Sequence, residues 1–71
     1  MMRDWKNIIV KKHSALQFID LLEDYEIEYV EEPSLSHETS IQIEVCVDDE
    51  EYEALKEARA EIYADYEMYN Y

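Results

Sequence analysis

A chain of 71 residues holds one small domain, and at that size folding buries only about 60% of the surface the unfolded chain exposes, so the core must be simple. The sequence is 48% hydrophobic with seven tyrosines, too apolar and aromatic for a chain kept disordered by its charge, and a single folded domain over residues 1–71 is expected. Six basic against nineteen acidic residues leave a formal net charge of −13, which disfavours direct binding to phosphate backbones and makes a basic protein surface the natural complement.

Other composition features narrow the chemistry. The one cysteine, Cys46, has no partner for an internal disulfide, and no CxxC or Cys/His pair is present to hold zinc, so a reducing cytosol is expected. The apolar run at Ile8, Ile9 and Val10 is far shorter than a signal-peptide core or a membrane span. Glycine is absent, which removes every glycine-dependent phosphate-binding loop.

In chain order, the β-branched run from Asn7 to Lys11, entered from Trp5, predicts a strand. Ser14 and Gln17 fit an S-x-x-Q capping box, so a helix is expected from Ser14 to about Asp24. Ala15, Phe18, Ile19 and Leu22 form its apolar stripe, widened by Leu16, Leu21 and Tyr25. Residues 26–32 alternate, with Ile27 and Tyr29 on one face and Glu28 on the other, and predict a second strand ended by Pro33. Residues 33–38 read as a polar hairpin loop. Residues 39–47 give the clearest strand, with Ile41, Ile43, Val45 and Val47 on one face and Ser40, Gln42, Glu44 and Cys46 on the other. Asp48 and Glu51 form a D-x-x-E capping box that opens a long final helix, with Asp49 and Glu50 at its positive end. Tyr52, Leu55, Ala58, Ile62, Tyr66 and Tyr69 follow helical spacing as its buried stripe.

This order predicts an α+β fold, βαββα, with a three-stranded antiparallel/mixed sheet in order 1-3-2, its central third strand antiparallel to both others, and two helices on one face. The topology resembles a ferredoxin-like split βαβ unit lacking its fourth strand, a resemblance that carries no functional motif. It would leave the strand from Asn7 to Lys11 as a bare edge, and the second expectation for this chain is a small assembly module that homodimerises through that edge or through the tyrosine-bearing helix, its charge serving only solubility.

Catalysis needs a nucleophile with an oriented base. His13 reads as shaping a helix entrance and His37 as a loop residue, while carboxylates near Cys46 disfavour its thiolate, so no enzyme, cofactor or catalytic residue is expected. The run Asp48, Asp49, Glu50 and Glu51 lacks the spacing and turn glycine of a calcium loop and is explained by a helix start, so no metal is expected. The informative feature is the row Glu50, Glu53, Glu57, Glu61 and Asp65 along one side of the last helix, with Tyr63 beside it as an aromatic anchor. Asp24, Glu26, Glu28, Glu31 and Glu32 add a second acidic patch. In size, charge and lack of catalytic apparatus the chain resembles small acidic phage or mobile-element products: anti-CRISPR proteins, inhibitors of restriction or repair enzymes, and other DNA mimics. The resemblance implies inhibition of a nucleic-acid-processing protein through its basic surface, in the host cytoplasm, with no membrane involved. An antitoxin-like neutraliser of a basic toxin would share the mechanism.

Overall fold

A computed structural model describes residues 3–32 and 38–69, the last by its backbone alone. Strand β1 covers Asp4–Lys11, a 3-10 turn Lys12–Ser14, helix α1 Ala15–Asp24, strand β2 Tyr29–Glu32, strand β3 Ser40–Val47 and helix α2 Asp49–Tyr69. The sheet has the order β1-β3-β2, with both outer strands antiparallel to β3 and therefore parallel to each other. Strand alternation decides the faces. Ile8 and Val10 of β1 and Ile43, Val45 and Val47 of β3 are buried against Phe18 and Leu22 of α1 and Leu55 of α2, and Ile27 completes this core. The expected α+β architecture is the observed one. The expected loop at residues 33–38, His37 included, lies outside the described residues except for Glu38.

Two stretches depart from expectation, helix α1 and the start of β2. Ser14 precedes α1 but makes no capping hydrogen bond, because the 3-10 turn already carries helical curvature into it. Its φ of −117° and ψ of 3° lie away from the extended geometry that aims an N-cap hydroxyl at the next turn. The fully buried Oγ instead lies 2.6 Å from His13 Nδ1. On α1 itself, Leu16 and Tyr25 do not widen the apolar face: they are 79% and 65% exposed.

The second correction concerns the start of β2, at Tyr29 rather than Glu26. Residues 25–27 are held by the end of α1. Glu26 N–H donates to the Glu23 carbonyl at 3.1 Å and Ile27 N–H to the Leu22 carbonyl at 2.9 Å, the paired bonds of a Schellman cap. Buried Ile27 and Leu22 make the hydrophobic closure that accompanies it. The cap places Glu26 at φ 56°, a left-handed position where glycine is usual and a side chain costs about 1–2 kcal/mol. Glu26→Gly is therefore expected to stabilise the protein by about 0.5–1 kcal/mol, after the added freedom of the unfolded chain is subtracted. In a domain of this size, thermal unfolding should move up by about 2–8 °C.

The cap of α2 forms as expected. Glu51 N–H donates to Asp48 Oδ1 at 2.8 Å, and Asp48 N–H donates to Glu51 Oε1 at 3.1 Å. The same acids that open the helix thus satisfy two of the backbone donors that have no partner within it.

Candidate partner-binding face

Helix α2 lies along the outer edge of β1 and runs in the same direction. In an antiparallel ladder the N–H and C=O groups of alternate residues point away from the neighbouring strand. In β1 those are the groups of the odd-numbered residues, and α2 meets three of them with side chains. The Tyr52 hydroxyl donates to the Asn7 carbonyl, Arg59 Nη1 donates to the Ile9 carbonyl, and Lys11 N–H donates to the Tyr63 hydroxyl oxygen, each at 2.8 Å. Ion pairs fasten the lower end: Lys6 Nζ lies 3.0 Å from Asp49 Oδ1 and Arg3 Nε 3.2 Å from Glu51 Oε1. At the upper end the His13 ring stacks on Tyr66 with centroids 3.7 Å apart and meets Tyr63 edge-on at 5.7 Å.

The edge from Asn7 to Lys11 is therefore not bare, and pairing with another chain there would have to displace these side chains. Replacing all three (Tyr52→Phe, Arg59→Met, Tyr63→Phe) is expected to lower stability by about 1–3 kcal/mol. It should also produce concentration-dependent association in sedimentation at high salt, where the net charge is screened. A variant that stays strictly monomeric would show that these side chains do not guard the edge.

The same contacts account for Tyr63. Its ring is half-buried against the core and its hydroxyl accepts the Lys11 N–H, so the structure places it on the inner flank of α2 rather than among the outward acids. Tyr66, expected in the buried stripe, is 37% exposed. A helix of 21 residues extends about 31 Å and strands of eight about 26 Å, so the last turns of α2 overrun the sheet. The side chain of Tyr69 lies outside the described residues. Leu55 is the one α2 residue that joins the fully buried core among the described residues, with Tyr52 and Ile62 packed partly against it.

The acidic row is assembled as its spacing predicts. Glu50, Glu53, Glu57, Glu61 and Asp65 are all exposed. At 100° per residue they occupy a sector about 120° wide centred roughly opposite Leu55, with successive carboxylates about 4.5–6 Å apart along the axis. Lys56 Nζ bridges to Glu53 at 2.9 Å and also lies over the Tyr52 ring, 4.9 Å from its centroid. Four more of the six cations are drawn to the β1 side: Arg3 and Lys6 to the start of α2, Arg59 to Ile9, and Lys11 over Tyr63 at 5.1 Å. This partition leaves the outward face of α2 with carboxylates that have few internal counterions.

Of the four acids at the helix start, Asp48 and Glu51 form the cap, Glu51 also pairs with Arg3, and Asp49 pairs with Lys6. Among the described residues no group of three or more His, Cys, Asp or Glu side chains is arranged to hold a metal ion. The hydrogen bond to Asp49 is the main reason the Lys6 ammonium titrates above its usual value, and the bond from the Tyr29 hydroxyl to Glu23 Oε1 at 3.0 Å does the same for that phenol. Both values are raised in the folded state, so both interactions are present at neutral pH and are lost as pH rises through the alkaline range.

Comparison with family models, with curated proteins and with solved structures finds no match. The function must therefore be argued from the faces themselves. Asp24, Glu26, Glu28 and Glu31 are exposed as expected, with Glu32 half-buried, but they gather around the end of α1 and β2. That is the opposite edge of the sheet from α2, so the two acidic patches are separate surfaces. No helix among the described residues is long and apolar enough to cross a membrane.

Proposed function

We propose that this chain is a non-enzymatic inhibitor that lays the outward face of α2 on the basic, nucleic-acid-binding surface of another protein and competes there with the nucleic acid. The observation that carries this reading is the row Glu50, Glu53, Glu57, Glu61 and Asp65, exposed together on the side of α2 opposite the core. A surface built to neutralise a file of phosphates accepts a file of carboxylates by the same electrostatics. Two features support a rigid presentation. The helix is capped at its start and clamped to β1 over most of its length, so the row is held in place before binding. The mutual repulsion of acids four residues apart, unfavourable in the free protein, is relieved when a cationic surface covers them. A host cytoplasm is the setting this mechanism requires.

The test is affinity capture from cells of the source organism with the intact protein as bait, followed by mass spectrometry and binding measurements with the recovered proteins. The reading expects nucleic-acid-binding proteins whose association falls steeply with salt and whose nucleic acid is displaced. A recovered partner that binds the chain and its nucleic acid simultaneously would overturn competition as the mechanism.

A further inference from the structure

Among the described residues, the helices cover one face of the sheet and no other element packs on the opposite face. The register places Trp5, Cys46 and Glu28 in one row across it, Asn7, Glu44 and Val30 in the next, and Ile9, Gln42 and Glu32 in the third. Trp5, Ile9 and Val30 are 50%, 49% and 47% exposed. They surround Glu44, which is half-buried on the central strand and has no ion-pair partner among the described residues. The face carries a further exposed carboxylate, Glu28, while its cation, Lys11, is drawn over the edge to Tyr63.

From this layout we propose a second docking surface, independent of the α2 reading: the open sheet face receives one cationic amphipathic helix of a partner protein. Its apolar stripe packs on Trp5, Ile9 and Val30, and its Arg and Lys side chains meet Glu44 and Glu28. The dimensions suit one helix. Three strands set their outermost axes about 10 Å apart, which is the diameter of an α-helix, and β1 is long enough for about five helical turns. Charge decides the occupant. A guanidinium entering beside Glu44 gains a carboxylate partner and the Trp5 ring within an apolar surround that excludes water. A second copy of this chain would bring another −13, and a two-fold contact centred on the face would set Glu44 against itself.

Trp5 is the single tryptophan and sits in the face, so its emission reports occupancy. The probes are a synthetic helical peptide of about five turns, with a leucine stripe flanked by arginine and lysine, and a scrambled peptide of identical composition. Titrated into the intact protein at about 0.15 M salt, where exposed charges are screened beyond about 8 Å, the striped peptide should shift Trp5 emission to the blue and saturate. The scrambled peptide should bind at least about tenfold more weakly, as should the striped peptide to Glu44→Arg or to Ile9→Thr. Lysine in place of Glu53, Glu57 and Glu61 should leave the emission shift intact, since those residues lie on the far side of the molecule. Equal shifts with both peptides, or no change on Glu44→Arg and Ile9→Thr, would overturn the proposal. Dimerisation of the free protein that covers Trp5 would also overturn it, by assigning the face to a second copy.

Discussion

Phe18→Ala is expected to remove about 3–5 kcal/mol of stability, the cost of truncating a large buried aromatic with incomplete collapse around the gap. Phe18 is the largest fully buried side chain, placed where α1 packs on the sheet. A domain of this length has a total stability of about 4–10 kcal/mol at the usual free energy per residue, so one substitution consumes much of it. No disulfide is present to compensate, because Cys46 is free. Urea unfolding followed by circular dichroism should show a midpoint shifted far down with little change in slope. Phe18→Leu, which keeps most of the volume, should cost less than about 1.5 kcal/mol. A loss below about 1 kcal/mol for the alanine variant would mean that the core seals without this ring.

The second large effect concerns binding. Reversing Glu53, Glu57 and Glu61 to lysine changes three charges by two each, so the net charge moves from −13 to −7. Against a partner's basic surface, three attractions become repulsions, and affinity should fall by about 100-fold or more. The helix should survive. In the native row every neighbouring pair repels. In the variant the lysine replacing Glu53 faces Asp49 and Glu50, and the lysine replacing Glu61 faces Asp65, so like-charge contacts at both ends of the row become favourable. Unchanged far-UV circular dichroism would confirm that any loss belongs to the surface. Unaltered affinity for a captured partner would exclude the α2 face as the contact.

The legibility of this fold in its sequence followed the range of the interactions involved. The capping box of Asp48 and Glu51 is local, and the alternation of Ile41, Ile43, Val45 and Val47 depends only on strand geometry, so both were readable. Ser14 and Gln17 show the same local pattern as Asp48 and Glu51, but the 3-10 turn before Ser14 changes its backbone and the pattern goes unused. The Schellman cap gave no signal, since the residue in the left-handed position is Glu26 and not glycine. Tyr63 and Arg59 were illegible for a different reason. Helical spacing tells which residues share a side of α2, but not that this side also reaches the edge of a strand some 50 residues earlier, at separations of 52 and 50. The acidic row was readable because exposure of charge is the default. Its shortage of internal counterions depends on where the cations go, which only the tertiary fold decides.

The fastening of α2 along β1 also bears on how the protein is made. Strand β1 leaves the ribosome before the other elements of this fold, but its inner edge waits for β3 and its outer edge for Tyr52, Arg59 and Tyr63 of α2. During synthesis β1 has no lasting neighbour until β3 has emerged, and its outer edge is covered only after most of the last helix has followed. Folding of this domain therefore finishes late in its own synthesis, with its first strand held in place by its last helix.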